Sequence, residues 1–211
     1  MLTKLKQRVQ QLMISQARLA HSTGLTPNQV SLIGILAALL SAYLYWNSKS
    51  DDAFLLAAAL SLLASGFFDA LDGVLARVYG QVTLFGGFLD SILDRYADAL
   101  VLIGIILGWL ATDSPLWLLV GLTALVGSLM VSYARARAEA AGIKMETVGL
   151  AERAERIIIL AFASFLTLVW RDALRWSVCL LAFLTNLTAL QRVVYFRKAA
   201  QKRGASATPI V

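Results

Sequence analysis

Five aspartates lie in one of the most apolar stretches of the sequence, residues 67–100. A charged carboxylate inside a membrane-spanning segment is costly to bury, and such residues usually bind ions, bind substrates or carry out chemistry. The acids in this stretch are therefore the first candidates for a functional site. They are Asp69, Asp72, Asp90, Asp94 and Asp98.

The first two acids share one face of a predicted helix. The positions i, i+3, i+4 and i+7 are occupied by Asp69, Asp72, Gly73 and Ala76. This face carries two carboxylates, then a residue with no side chain, then a methyl group. It would form the floor of a groove in which a ligand can touch the backbone.

The next predicted helix has a similar face, with Gly86, Asp90 and Asp94 at i, i+4 and i+8. Only a short turn joins the two helices, so they are predicted to be antiparallel neighbours. Four carboxylates would then converge near one end of the pair, where they cannot all remain ionised without a counter-charge. Two divalent cations would supply it, and oxygen-only ligands favour Mg²⁺ or Mn²⁺. Paired cations of this kind clamp phosphoryl oxygens during displacement.

Other interpretations of these acids remain open. Intramembrane acids also line ion pathways, so a cation-coupled transporter is an alternative. Transport residues are expected at several depths, however, whereas these acids gather with glycines and Arg77 near one surface. Helix packing would explain the glycines but not the acids. Asp98, one turn beyond Asp94, is interpreted either as a helix-interface acid or as a supporting acid of the site.

Composition places the chain among integral membrane proteins. Hydrophobic residues make up 59% of the sequence, and the mean hydropathy of +0.71 is far from that of soluble domains. Six apolar segments approach the roughly 20 residues needed to cross a bilayer. We predict an all-α polytopic membrane protein with six transmembrane helices, in which residues 1–211 form a single domain. The predicted spans are 29–47, 52–76, 84–110, 115–134, 157–170 and 175–196.

The N-terminal residues 1–22 are predicted to form an amphipathic juxtamembrane helix, because apolar residues recur at helical spacing among basic ones. The segment lacks the apolar region of a signal peptide. When the N-terminus is placed inside, most Lys and Arg fall on that side, so both termini and the site are predicted to be cytoplasmic. The excess of 19 basic over 13 acidic residues reflects this bias, and no nucleic-acid partner is expected.

The aspartate pattern is similar to the complete signature of the CDP-alcohol phosphotransferases, membrane enzymes that make phospholipid headgroups. In this sequence it reads Asp69-x2-Asp72-Gly73-x2-Ala76-Arg77-x8-Gly86-x3-Asp90-x3-Asp94. The resemblance implies that the first three aspartates bind two divalent cations, and that Asp94 completes the site and acts as general base on the acceptor alcohol. It also implies a homodimer and a CDP-lipid site. The implied CDP-lipid residues are Asn28, Ser31, Gly73, Ala76, Arg77, Thr83 and Gly86.

Five arginines in the second half of the chain bear on the acceptor, because guanidiniums at one membrane surface would hold a phosphate dianion. Ordinary cytoplasmic loop residues are the alternative interpretation. The segments SYARARAEA, GLAERAER and LQRVV resemble the family branch that uses inositol phosphate. That resemblance implies an acceptor-phosphate role for Arg135, Arg137, Arg153, Arg156 and Arg192. Ala154, where many bacterial relatives have proline, departs from the pattern.

The sequence therefore predicts an enzyme that transfers a phosphatidyl or archaetidyl group to myo-inositol 1-phosphate and releases CMP. The donor would be CDP-diacylglycerol or CDP-archaeol, and membrane lipids would surround the protein. Glycerol 3-phosphate is the rival acceptor because it also presents a phosphate. Serine is a less suitable acceptor, because it carries no phosphate for the five arginines to bind. A scaffold without turnover is a third class of function.

Overall fold

The structure is a computed structural model that describes residues 13–111, 114–145 and 148–206, with side chains described as far as residue 202. All regular structure in these ranges is helical, and they contain no strand. The predicted all-α class is therefore confirmed. The chain divides into two compact units, Met1–Gly104 and Ile105–Val211.

The described residues of the first unit form four helices. Residues 13–22 form α1, and α2, α3 and α4 span Pro27–Asn47, Asp52–Val78 and Leu84–Ile105. Local signals in the sequence set the start of α2: Thr26 caps the helix, and its backbone N–H donates to the Gln29 side chain at 2.9 Å. Asp51 caps α3 by accepting a hydrogen bond from the backbone N–H of Ala53 at 2.8 Å.

Small residues allow α2 and α3 to pack closely. Gly34 of α2 faces α3 so closely that an added Cβ would lie 3.4 Å from Cβ of Phe68. Further along the same pair, the hydroxyl of Ser41 donates to the carbonyl oxygen of Ala58 at 2.9 Å. Small side chains and interhelical hydrogen bonds of this kind are typical of helices that pack inside a membrane.

The second unit begins with five π-helical residues, Ile106–Leu110, and continues with α5 (Pro115–Ala140), α6 (Arg153–Leu166) and α7 (Ala173–Ser206). Ser114 caps α5, and Pro115 occupies its first turn. The side-chain amide of Asn186 in α7 donates to the carbonyl oxygen of Thr123 in α5 at 3.2 Å. Among the described helices of this unit, α5 and α7 make the most extensive contact.

Four helices among the described residues are long and apolar enough to cross a membrane, namely α2, α3, α5 and α7. The protein is therefore a multi-pass membrane protein. The sequence predicted six transmembrane helices, but only these four of the described helices meet the length and hydropathy expected of a span. The apolar sequence of α4 is interrupted by four charged residues, Asp90, Asp94, Arg95 and Asp98. Helix α6 has only 14 residues, which give a length of about 21 Å at 1.5 Å per residue.

Several helix boundaries differ from the sequence prediction. The predicted helix 84–110 is α-helical only to Ile105 and continues as the π-helix. The predicted helix 175–196 is longer and runs over Ala173–Ser206. Of the predicted amphipathic helix, residues 13–22 are helical, whereas residues 1–12 lie outside the described part of the chain.

Candidate active site

Three aspartates from α3 and α4 converge in the first unit, as their helical spacing predicted. Asp69, Asp90 and Asp94 each offer one carboxylate oxygen, and these oxygens lie within 4.8 Å of one another. All three residues are partly buried. The group suits a small divalent cation, because it supplies only hard oxygen donors and carries negative charge. The single histidine and single cysteine of the sequence, His21 and Cys179, are not part of it.

The remaining aspartate of the signature, Asp72, is directed to a neighbouring helix. It is only 5% exposed, and its Oδ2 accepts a hydrogen bond from the hydroxyl of Ser31 in α2. The Ser31 hydroxyl also lies 3.2 Å from the carbonyl oxygen of Pro27. A buried carboxylate requires such a partner. Ser31 therefore fixes the position of Asp72 beside the three converging acids.

A pocket of about 300 Å³ opens beside these acids. Asp72 and Asp90 form part of its wall, so the pocket and the acid group adjoin. All of the residues that the sequence predicted for CDP-lipid binding also line it. They are Asn28, Ser31, Gly73, Ala76, Arg77, Thr83 and Gly86.

The glycines of the signature keep this pocket open. A Cβ added to Gly86 would lie 2.9 Å from Oγ1 of Thr83 and 3.2 Å from Oδ1 of Asn28. Thr83 cannot move away freely, because its Oγ1 accepts a hydrogen bond from the backbone N–H of Gly86 at 2.9 Å. At Gly73, an added Cβ would lie 3.2 Å from a terminal nitrogen of Arg77. The Arg77 guanidinium therefore lies across the bare backbone of α3.

The sequence prediction missed four residues of the pocket wall. Three of them belong to the turn and to the start of α4, where the fixed spacing between Arg77 and Gly86 in the signature was the available signal. A spacer of constant length implies that the turn itself approaches the ligand. The missed residues are Pro27, Gln81, Val82 and Gly87.

The second unit contains the predicted acceptor-phosphate arginines. Arg192 of α7 is only 2% exposed, and its guanidinium donates to the carbonyl oxygens of Val148 at 2.9 Å and Val131 at 2.6 Å. A third nitrogen lies 3.5 Å from Oε1 of Glu152. These bonds join α5, α7 and the segment before α6. Three of the five N–H groups of Arg192 are used in this way.

Arg135 and Arg156 lie near enough to Arg192 for their positive charges to act on it. Arg156 is buried and donates to the carbonyl oxygen of Ala151 at 2.9 Å, whereas Arg135 pairs with Glu139 at 2.9 Å. The remaining two predicted arginines stand at helix ends of the same unit: Arg137 is exposed in the last turn of α5, and Arg153 is partly buried at the first residue of α6.

Comparison with known families agrees with this arrangement. The family model described as CDP-alcohol phosphatidyltransferase matches residues 24–200. The chain belongs to this family. It is therefore a membrane phosphotransferase, as the aspartate signature predicted.

Several relatives cover most of the chain. The archaetidylinositol phosphate synthase of Pyrococcus horikoshii is 42% identical over 198 residues, which cover 94% of this chain and 97% of the relative. The phosphatidylinositol phosphate synthase of Mycolicibacterium smegmatis is 36% identical over 84% of this chain and 80% of its own. The crystal structure of the Mycobacterium tuberculosis phosphatidylinositol phosphate synthase with CDP-DAG bound has a TM-score of 0.77 at 32% identity, covering 88% of this chain and 94% of that chain. The same enzyme in complex with manganese and citrate also has a TM-score of 0.77, at 32% identity, covering 87% of this chain and 88% of that chain.

Proposed function

We propose that this protein transfers the phosphatidyl or archaetidyl group of a CDP-lipid to myo-inositol 1-phosphate and releases CMP. The observation that carries the proposal is the convergence of the aspartate signature beside a pocket lined by all of the predicted CDP-lipid residues. Family membership supports the reaction class. Two relatives named as synthases of inositol phosphate lipids support the acceptor.

The proposed cofactors are two divalent cations, Mg²⁺ or Mn²⁺. Asp69, Asp90 and Asp94 would hold them together with Asp72, because these residues supply carboxylate oxygens from adjoining turns of α3 and α4. When bound, the cations neutralise the diphosphate and make CMP a competent leaving group. The manganese complex of the related mycobacterial enzyme supports this assignment.

The pocket would receive the CDP part of the lipid. Gly73, Ala76 and Gly86 offer little side-chain bulk, so a diphosphate can approach the backbone. Arg77 supplies a guanidinium at the pocket wall, and a guanidinium binds phosphate oxygens through paired N–H groups. The polar atoms that remain for the nucleotide belong to Asn28, Ser31, Gln81 and Thr83.

Asp94 is the proposed general base. Its carboxylate takes the proton of the acceptor hydroxyl as that oxygen forms a bond to the lipid-side phosphorus. The bond between this phosphorus and the bridging diphosphate oxygen breaks, and CMP leaves with the electron pair. A direct displacement of this kind needs no covalent enzyme intermediate.

The arginines of the second unit would bind the phosphate of the acceptor. The positive charges of Arg135 and Arg156 act on Arg192, which supports placing these three in one site, and Arg137 and Arg153 would complete the set. Two N–H groups of Arg192 remain after its bonds to Val131, Val148 and Glu152 are counted. Arg192 would therefore have two roles: it joins α7 to α5 and to the segment before α6, and it contributes to the acceptor site.

The membrane arrangement is also part of the proposal. Six spans result if α4 with its π-helical continuation and α6 with its flanking turns cross the bilayer in addition to the four longer helices. The segment 1–22 would lie at the membrane surface, and both termini and the active site would face the cytoplasm. The family model covers parts of both units, which supports a single catalytic domain. A homodimer is the family-based expectation.

An acceptor panel tests the proposed reaction. The purified full-length protein is incubated with CDP-archaeol or CDP-diacylglycerol, Mn²⁺ and one acceptor, and CMP release is measured. We expect the highest kcat/KM with myo-inositol 1-phosphate, and no turnover in Asp94→Asn. Asp52→Asn is the control, because Asp52 belongs to the first turn of α3 rather than to the signature. Faster turnover with glycerol 3-phosphate or with free inositol would overturn the acceptor assignment.

The same preparation separates an enzyme from a transporter. In liposomes without CDP-lipid, a cation-coupled transporter would carry ions, whereas the enzyme would not. Ion flux without CMP release under any acceptor condition would contradict the proposed function. Full CMP release by Asp90→Asn and Asp94→Asn would contradict the proposed roles of these acids.

Single arginine variants test the acceptor site separately. Arg137→Ala is expected to raise the KM for myo-inositol 1-phosphate by about tenfold or more, as for other charge-assisted hydrogen bonds, with the KM for CDP-lipid unchanged. Arg175→Ala is a matched control, because Arg175 is a basic residue of the same unit that pairs with Asp172. Equal effects of the two substitutions would contradict a specific acceptor role for Arg137.

A further inference from the structure

The short helix α1 packs on the part of α3 that carries the site. Ala17 and Ala20 of α1 are buried in one cluster with Val30 of α2 and with Leu71 and Leu75 of α3. Asp72 and Gly73 of the signature lie between these two leucines in the sequence. Alanines on the buried face let α1 approach α3 closely. The position of α1 is therefore coupled to the helix that bears two of the signature aspartates.

The last turn of α1 makes one further contact, which involves His21. The imidazole of His21 is stacked on the ring of Tyr79, with the ring centroids 3.7 Å apart and the planes 16° from parallel. The backbone after His21 is fixed as well, because Leu25 N–H donates to the Ala20 carbonyl oxygen at 3.1 Å while Gly24 has a φ of 81°. This is a Schellman ending, and it fixes the backbone at the residue that bears the stacked imidazole.

Tyr79 stands at the point where α3 ends and the pocket turn begins. Its N–H donates to the carbonyl oxygen of Leu75 at 3.1 Å, and Gly80 follows with a φ of 63°. Gln81 N–H then donates to the carbonyl oxygen of Ala76 at 2.8 Å. The residues directly after this ending, Gln81, Val82 and Thr83, form one wall of the pocket.

We propose that His21 is a positioning residue for the CDP-lipid site, acting through its stack on Tyr79 to hold the turn Tyr79–Thr83 against the pocket. No proton transfer or substrate contact is assigned to His21. The stack connects a helix that carries no signature residue to a turn that supplies the pocket wall. The identity of the pocket ligand rests on the proposed function, whereas the coupling of His21 to the pocket does not depend on the acceptor.

The test uses variants of the full-length protein that keep or remove the ring. His21→Ala is expected to raise the KM for CDP-lipid about three- to tenfold, the effect of losing one aromatic pair, with kcat and the KM for the acceptor within about twofold of wild type. His21→Phe should restore the wild-type KM because it keeps a stacked ring. Gln16→Ala, an exposed substitution on the same helix, is the matched control.

A double-mutant cycle shows whether the effect passes through Tyr79. In a Tyr79→Ala background, His21→Ala should add no further increase in the KM for CDP-lipid. Additive effects, an unchanged KM in His21→Ala, or a His21→Phe variant as impaired as His21→Ala would overturn the proposal. Binding of CMP in the presence of Mn²⁺, measured by titration calorimetry, gives the same comparison without turnover. If wild type binds CMP but releases none from CDP-lipid with any acceptor, the proposed function fails while the binding data still decide the role of His21.

Discussion

The hydroxyl of Ser31 in α2 donates a hydrogen bond to Oδ2 of Asp72 in α3. This contact joins residues 41 positions apart in the sequence and occurs at a carboxylate residue that is only 5% exposed. It gives α2 a direct part in the aspartate site, although the signature itself lies entirely on α3 and α4. One carboxylate oxygen of Asp72 is therefore already hydrogen-bonded to Ser31 when a ligand binds.

Replacement of Ser31 by alanine should lower the affinity of the site for the divalent cation. Without the hydroxyl, Asp72 loses the hydrogen bond that orients it, and removal of such a supporting partner typically costs about 10- to 100-fold in metal affinity or activity. We expect the Mn²⁺ concentration for half-maximal CMP release to rise by at least about tenfold in Ser31→Ala. Ser31→Thr, which keeps the hydroxyl, should be less affected.

Ser41→Ala is the matched control for this variant. Ser41 lies on the same helix and also bonds to α3, through the carbonyl oxygen of Ala58, but it has no part in the pocket wall. Its loss should lower the unfolding temperature without changing the Mn²⁺ requirement. An unchanged Mn²⁺ requirement in Ser31→Ala would show that Asp72 is positioned without Ser31.

A methyl group at Gly86 should obstruct the pocket. The added Cβ would meet Oγ1 of Thr83 and Oδ1 of Asn28 at 2.9 and 3.2 Å, and overpacking of this kind typically costs about 1 to 3 kcal/mol. Gly86→Ala is therefore expected to raise the KM for CDP-lipid by about tenfold. At Gly87, where an added Cβ meets no atom within 4 Å, alanine should have a smaller effect. Equal KM values in the two variants would contradict this account of the pocket.

Arg192 should matter for folding as well as for the acceptor. Arg192→Met removes one hydrogen bond from each of the carbonyl oxygens of Val131 and Val148, and it removes the buried guanidinium that pairs with Glu152. The expected loss is about 2 to 5 kcal/mol of unfolding free energy. Arg135→Met removes a more exposed pair with Glu139 and should cost less than about 1 kcal/mol.

Unfolding of both arginine variants can be followed in detergent micelles, together with the KM for myo-inositol 1-phosphate. We expect a lower unfolding temperature and a higher acceptor KM for Arg192→Met, and mainly a higher acceptor KM for Arg135→Met. If Arg192→Met retains wild-type stability, the bonds to Val131 and Val148 do not support the fold as described.

The parts of the site that follow helical periodicity could be predicted from the sequence. Asp69 and Asp72 on α3 and Asp90 and Asp94 on α4 were expected to converge, because residues three or four apart share a helix face and a short turn makes the helices neighbours. Of these four, the structure groups Asp69, Asp90 and Asp94. The contact between Ser31 and Asp72 could not be predicted, since it depends on how α2 packs along α3. The stack of His21 on Tyr79 depends in the same way on the packing of α1.

Other differences arise because hydropathy measures composition rather than hydrogen bonding. The apolar run 84–110 gives no sign of the change to a π-helix at Ile106–Leu110. Charge counting likewise identified Arg192 as a basic residue near the membrane surface. It could not show that two of its N–H groups donate to backbone carbonyl oxygens and a third to the carboxylate of Glu152. A buried arginine and an exposed one look the same in a pattern of charges.

In the proposed active site, acids from α3 and α4 hold a pair of divalent cations beside the CDP pocket. The most direct measurement is anomalous diffraction at the manganese edge from crystals of the protein grown with Mn²⁺ and CMP. The account predicts two anomalous peaks about 4 Å apart, ligated by carboxylates of Asp69, Asp72, Asp90 and Asp94. Carboxylates that face apart, or manganese bound only elsewhere in the protein, would contradict it.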